Sequence, residues 1–198
     1  MSFRAFVYYS ALCGGWAAFV GWALGEVLNL RSIESGLLSS AAVGGTLGLL
    51  VAGVVEALEA IFHALQEKRW GRITVAILLG LVGGLTGGLL CQILTMIHPW
   101  FRILGWAVVG MAIGIAIGMY DLGRDFFAQK SLRWAQQKLL HGLFGGALGG
   151  LTGGLLFTTL EMMNLSNSWP RVSLALALVI LGTFIGLLIG LAQRKREV

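Results

Sequence analysis

Six long stretches without an acidic or basic residue constrain this sequence more than any other feature. Crossing the hydrocarbon core of a bilayer, about 30 Å thick, takes roughly 17–25 helical residues. The six predicted spans have that length and are Ala5–Gly25, Gly36–Val55, Ile73–Leu94, Ile103–Tyr120, Leu139–Leu160 and Val172–Ala192. Continuous apolar runs favour helices over the short alternating strands of a membrane β-barrel. The sequence therefore predicts an all-α integral membrane protein in which residues 1–198 form a single membrane domain.

The distribution of basic residues predicts the orientation of these spans. Only 12% of the residues are charged, although the net charge is +5. Eleven Lys and Arg residues flank the spans on the side of the two termini, and three flank them on the other side, namely Arg31, Arg102 and Arg171. Basic residues accumulate on the cytoplasmic side of membrane proteins. We therefore predict cytoplasmic termini, and interpret the basic residues as signals of topology and anionic-lipid contact, not of nucleic-acid binding.

The sequence repeats with a period near 65 residues. Spans 3 and 5 contain the same seven-residue string, Gly83–Leu89 and Gly149–Leu155, and an Arg-Trp pair precedes each. The even spans share small residues at every fourth position. An even number of spans in each unit gives parallel repeats and not inverted ones. We predict three tandem helical hairpins, at approximately residues 1–65, 66–133 and 134–198.

Small residues spaced four apart lie on one face of a helix and let the backbones of membrane helices approach closely. The predicted helix-packing residues are Gly80, Gly84, Gly88, Gly110, Gly114, Gly118, Gly142, Gly146, Gly150, Gly154, Gly182, Gly186 and Gly190. The large residues expected to face lipid or a partner are Leu81, Leu85, Leu89, Ile113, Ile115 and Ile117. These faces predict a bundle held together by close backbone contact.

Ionisable residues inside a membrane are candidates for function, and here the acidic ones lie near the ends of spans. Glu56 and Asp121 lie toward the predicted cytoplasmic ends of spans 2 and 4. They either form a carboxylate ring that contacts ions or, as we favour, pair with basic residues at the water interface. The basic candidates for such pairing are Lys68, Arg69, Arg124 and Arg194. Glu26 and Glu161, at the external ends of spans 1 and 5, are either mouth residues or ordinary boundary residues.

The sequence contains no recognisable motif for catalysis or cofactor binding. Its three histidines lack metal-ligand spacing, and no phosphate loop or activated nucleophile is present. Thr86 and Thr152 recur in the repeated string, and we expect each hydroxyl to bond a backbone carbonyl of its own helix. We therefore predict no enzyme activity, no cofactor and no metal site.

The glycine strings resemble two kinds of membrane protein. Repeated Gly-rich hairpins are similar to the proteolipid rings of rotary ATPases, but that family needs a carboxylate near mid-membrane, and the third repeat here has Gln193 instead. The closer resemblance is to bacterial six-helix regions of the Gly-Gly-x-x-Gly-Gly type, some of which precede a cytoplasmic forkhead-associated domain that binds phosphothreonine. This sequence ends at Val198 without such a domain. The resemblance implies a bacterial inner membrane and no catalytic or binding residue.

Two functions agree with these features. The favoured one is a non-enzymatic membrane subunit, a scaffold that packs against itself or against other membrane proteins through its glycine-rich faces, with Trp16 and Trp22 as candidate partner contacts. The alternative is a small ion or solute channel or transporter, in which three hairpins surround a pseudo-threefold axis and the glycine-lined odd spans border a narrow pathway. The lipid bilayer is the expected environment in both cases.

Overall fold

The computed structural model describes residues 3–62, 69–98, 100–127, 133–162 and 170–192. Six long α-helices occupy these ranges: α1 Phe3–Val27, α2 Gly36–Phe62, α3 Arg69–Ile97, α4 Phe101–Phe127, α5 Arg133–Met162 and α6 Pro170–Ala192. A short 3₁₀ turn, Leu30–Ser32, lies between α1 and α2.

Each of these helices contains a segment that is long and apolar enough to cross a membrane, and the segments coincide with the six predicted spans. The prediction of six spans is thus confirmed by length and composition, and the chain is a multi-pass helical membrane protein. α2 and α4 continue past their predicted spans to Phe62 and Phe127.

The helices form a closed ring in chain order, because each packs against the one before and the one after it and α6 packs against α1. Neighbouring helices are antiparallel. At the closing border, Gly14 lies against Gly182 and Ser10 lies against Gly186, so α1 and α6 run in opposite directions. The bundle therefore has a termini end, where α1 begins and α6 ends, and an arginine end, which holds Arg31 and Arg102.

At three borders of the ring the backbones of neighbouring helices touch at glycines. The pairs are Gly44–Gly84 between α2 and α3, Gly110–Gly146 between α4 and α5, and Gly14–Gly182 between α1 and α6. A Cβ atom added to any of these glycines would lie less than 3.0 Å from a backbone carbonyl oxygen of the facing helix. Every glycine predicted from the sequence to pack helices has atoms of a neighbouring helix within 4 Å of such a Cβ.

Each Gly-Gly pair of the repeated string lets one helix pack closely against both of its neighbours. In α3, Gly84 faces α2, whereas Gly83 faces α4. In α5, Gly150 faces α4, whereas Gly149 faces α6. Adjacent residues of a helix point about 100° apart, so a double glycine gives a smooth surface to two neighbours at once. This arrangement explains why the string contains Gly-Gly pairs and not single glycines.

The axis of the ring is filled by large apolar side chains from the three even helices. Their stripes, spaced four residues apart, are Leu47, Val51 and Val55 in α2, Val109, Ile113 and Ile117 in α4, and Leu181, Ile185 and Ile189 in α6. All nine are buried in one contiguous cluster, which we call the axial plug. α4 also contacts α2 and α6 across the interior. Apart from Val55, which precedes Glu56, each residue of these stripes is followed by a glycine or alanine that faces a neighbouring helix.

The expectation that Ile113 and Ile117 face lipid or a partner is therefore wrong, since both side chains are fully buried in the axial plug. Each immediately precedes a glycine that packs on α5, and the one-residue offset turns the isoleucine toward the axis. Leu85 is partly buried, and its side chain lies against Gly45 of α2.

We predict that Gly84→Ala lowers the free energy of unfolding by about 1–3 kcal/mol, because the new methyl must displace the backbone of α2. Thermal unfolding in detergent, followed by circular dichroism, measures the change. Gly25→Ala is the matched control, since an added Cβ there meets nothing within 4 Å. Alanine favours helix over glycine, so the control should be neutral or stabilising. Equal losses in the two variants would contradict this packing.

Candidate functional site

A cavity of about 410 Å³ lies inside the ring toward the arginine end. Five helices, α2 to α6, and the connection between α1 and α2 contribute to its walls. Its volume is within the range of small-molecule pockets, about 300–1,000 Å³. The cavity is therefore enclosed by the bundle as a whole and not by one pair of helices.

The mouth of the cavity is basic. Arg31 and Arg102 line it, and Arg31 is held on the 3₁₀ turn that follows α1. Asn29 begins this turn in the left-handed backbone conformation, with φ 53°, which asparagine tolerates better than most residues. The Ser32 hydroxyl donates to the Asn29 carbonyl at 2.8 Å. These local features place the Arg31 guanidinium beside the entrance.

Glu26 partly neutralises this mouth. Its carboxylate lies 3.4 Å from the Arg31 guanidinium, and the Arg31 side chain is 47% exposed. Such an exposed pair contributes little to stability, about 0–1 kcal/mol. Arg102, the second arginine on the wall, is only partly exposed.

Below the mouth the walls are polar on one side. Ser40 of α2 donates a hydrogen bond to the Gln92 amide oxygen of α3 at 3.0 Å. Ser39 and Thr95 also line this part, and the Thr95 hydroxyl donates to the Cys91 carbonyl at 2.8 Å. The bond between Ser40 and Gln92 fixes the amide, so that its N–H groups point away from Ser40.

The inner part of the cavity is apolar. Trp106 and Phe157 lie with their ring centroids 5.7 Å apart, and both line the cavity. Leu47, Val109 and Leu178 form the floor. Leu47 and Val109 are the first residues of two of the axial stripes, so the cavity ends where the axial plug begins.

A buried ion pair lies at the termini end of the axis. The Lys138 ammonium of α5 is 2.5 Å from the Glu56 carboxylate of α2, and both side chains are 0% exposed. α2 and α5 lie opposite each other in the ring, so this contact crosses the axis. Glu56 directly follows Val55 at the last position of the α2 stripe. The cavity is consequently open at one end, while the other is closed by apolar residues and an ion pair.

The structure differs from the sequence interpretation of Glu56. We expected pairing at the water interface with one of four basic residues, but its partner is Lys138 and the pair is buried. Lys138 is one of the eleven basic residues on the side of the two termini. The next residue, Leu139, packs closely on α4, where a Cβ added to Gly118 would lie 2.5 Å from the Leu139 Cα.

The other acidic candidates have different placements. Glu26 lies at the arginine end and pairs with Arg31 at the cavity mouth. The side chains of Asp121 and Glu161 lie outside the described part of the structure, so their roles stay predictions. Thr86 and Thr152 donate to the carbonyls of Val82 and Leu148, which confirms the expected bonds within their own helices.

The sequence contained a signal for the basic mouth that composition alone did not reveal. Arg31 and Arg102 are two of the three basic residues on the side that the charge bias keeps poor in Lys and Arg. No comparable signal marked Lys138, because its position at the start of a span matches an ordinary flanking residue. Only the ring closure brings it opposite Glu56.

No protein-family model, curated protein or solved structure matches this chain.

We predict that Lys138→Met lowers the free energy of unfolding by about 3–5 kcal/mol, because it leaves the Glu56 carboxylate buried without its ammonium partner. The double variant Lys138→Met/Glu56→Leu should recover most of this loss, since apolar replacement of a buried pair is often neutral or stabilising. Denaturation of the purified protein in mixed detergent measures both. A double variant less stable than Lys138→Met would show that the pair is not the source of the loss.

Proposed function

We propose that this protein is a membrane carrier that binds a small solute in the cavity and moves it by opening the axis alternately to each side. The supporting observation is the one-sided access to the axis: the cavity opens at the arginine end, and the axial plug and the pair of Lys138 with Glu56 close the termini end. A site near the axis with one closed side is what alternating access requires. This function is the transporter alternative predicted from the sequence, except that different residues line the pathway.

The residues that line the pathway differ from those predicted. The sequence interpretation placed glycine-lined odd helices around it, but the glycines of α3 and α5 lie at helix borders. The even helices line the axis with bulky residues instead, so a static open channel does not fit this arrangement. Borders made of smooth backbone suit a carrier because two helices can shift along each other without unlocking interdigitated side chains.

The scaffold function predicted from the sequence has less support. The glycine faces that were to bind partners are covered by helices of the same chain. Trp22 is partly buried and packs against the interior cluster, so less of its side chain faces outward for a partner. Trp16 remains 61% exposed beside an apolar groove of about 420 Å³ between α1 and α6. A partner's membrane helix in this groove is the second candidate function, and co-purification after mild detergent extraction tests it.

Several finer features belong to the same proposal. We propose three tandem hairpins, supported by the similar glycine pairs at alternate borders of the ring. The excess of eleven basic residues over three supports cytoplasmic termini, hence a cavity that opens away from the cytoplasm. The bacterial inner membrane, the resemblance to six-helix Gly-rich regions and the lack of enzyme activity stay predictions.

The proposed orientation predicts the behaviour of reporter fusions. Green fluorescent protein fused after Val198 should fluoresce, and alkaline phosphatase at the same site should be inactive, because both respond to the cytoplasm in these ways. Fusion in the connection between α1 and α2, after Ser32, should give the reverse. The reverse pattern at both sites would overturn the orientation.

The carrier function predicts intermittent access to the axial plug from the termini side. In a background with Cys13→Ala and Cys91→Ala, Ile117→Cys should react with a membrane-impermeant thiol reagent added on the termini side, but slowly, because Ile117 is fully buried at rest. Adding Glu56→Gln should raise this rate by roughly tenfold, the change that corresponds to about 1.4 kcal/mol, by weakening the contact that closes this end. Labelling of inside-out and right-side-out vesicles measures the rates.

Phe126→Cys, on an exposed part of α4 beyond the span, is the positive control for reagent access from the termini side. If that control reacts while Ile117→Cys does not, with or without Glu56→Gln, the axis is static and the carrier function fails.

A further inference from the structure

We infer that the cavity binds an anionic amphiphile, with a carboxylate or phosphate group at the arginine mouth and an apolar body against the floor. This inference rests on the cavity used by the proposed carrier function and specifies the chemical class of its ligand. It does not require that the ligand be transported.

The charge of the lining favours an anion. Arg31 and Arg102 both border the cavity, and among the lining residues that the structure describes none is acidic. Glu26 offsets part of the Arg31 charge from outside the lining. A basic cleft with low-dielectric walls concentrates anions and speeds their entry. Arginine also offers a planar fork of N–H donors that matches a carboxylate or phosphate.

The polar wall adds neutral donors near this charge. Gln92 lies on the wall with its amide oxygen already accepting the Ser40 hydrogen bond, so its N–H groups are directed elsewhere. Ser39 is a second lining hydroxyl. Neutral donors beside a guanidinium are the surroundings that bound oxyanions require once they leave water.

The apolar floor distinguishes an amphiphile from a simple anion. Leu47, Val109 and Leu178 lie below the mouth, and the rings of Trp106 and Phe157 form one wall. A bare inorganic anion there would lose its hydration without replacement. An acyl chain or an aromatic group would instead gain favourable burial. The order from mouth to floor, charged and then apolar, matches an ionised head attached to a hydrocarbon tail.

The same chemistry has two sources. A water-soluble amphiphile such as a medium-chain carboxylate enters from the solution, whereas a phospholipid would offer its phosphate and one chain from the bilayer. The experiment below separates these sources through the composition of the sample, and both share the anionic head that the inference requires.

The native thiol of Cys91 provides the test, because it lines the cavity and both cysteines of the chain are free. In Cys13→Ala protein in detergent, we compare its reaction rates with anionic 2-sulfonatoethyl and cationic 2-(trimethylammonium)ethyl methanethiosulfonate. Each rate is divided by the rate with a free thiol in solution. We expect the anionic reagent to be favoured about tenfold, as charge focusing in a cleft predicts.

Two variants assign this preference to the mouth. Arg102→Gln should remove most of it, whereas Arg4→Gln, at the termini end, should leave it unchanged. Ser39→Cys in a background without native cysteines provides a second reporter on the wall, so the measurement does not depend on the reactivity of one thiol or on the folding of one arginine variant.

Ligand protection tests the amphiphile directly. Octanoate should slow modification of Cys91, while neutral octanol and cationic octyltrimethylammonium at equal concentration should not. Protection by octanoate in detergent without phospholipid supports a ligand from solution. If Cys91 is protected only in phosphatidylglycerol vesicles, and not in vesicles of a zwitterionic lipid, the result supports a phospholipid as the ligand, bound through its phosphate.

Equal normalised rates for the two reagents at both reporters, or equal protection by octanoate and octanol, would overturn the inference. Failure of both reporters to react would also overturn it, because the cavity would then be closed to solutes. These outcomes are separate from those of the carrier function, which depends on labelling of Ile117→Cys. A static axis with anion-selective protection would leave a binding site without transport.

Discussion

Backbone-to-backbone contact at glycine is the interaction on which this structure depends. In a bilayer, lipid chains are as apolar as leucine, so helices gain little from hiding apolar surface from one another. Close contact supplies van der Waals attraction and weak Cα–H···O bonds in place of that driving force. The pairs Gly44–Gly84, Gly110–Gly146 and Gly14–Gly182 occupy alternate borders of the ring, and the last pair joins the first helix to the sixth. Ring closure, and with it the enclosed axis, follows from that contact.

Closing the ring determines what the large residues do. In α4 and α6 each residue of the axial stripe comes directly before a glycine that faces a border, as Ile113 does before Gly114. Three such stripes meet and leave no room along most of the axis. Toward the arginine end, Trp106 and Phe157 border the cavity. The same residue pattern that packs the helices therefore also forms the axial plug, which lies below a cavity large enough for a small molecule.

Local pattern predicted the local features of this fold, and non-local geometry determined the rest. The span boundaries and the positions of the packing glycines followed from apolar length and four-residue spacing, which act within one helix. The burial of Ile117 and the contact of Lys138 with Glu56 could not be predicted in the same way, because each depends on which helices become neighbours. The basic mouth lies between these cases. The sequence places Arg31 and Arg102 on the side with few basic residues, but only the fold brings them to one cavity.

The six helices close into a ring whose axis is blocked at one end and open at the other. A cryo-electron microscopy map of the protein in lipid nanodiscs is the decisive test of this arrangement. We expect α1 against α6, continuous density between the Lys138 and Glu56 side chains across the axis, and a cavity that reaches only from Arg31 and Arg102 to Leu47. A water-filled path through both ends, or Lys138 directed to lipid, would contradict it.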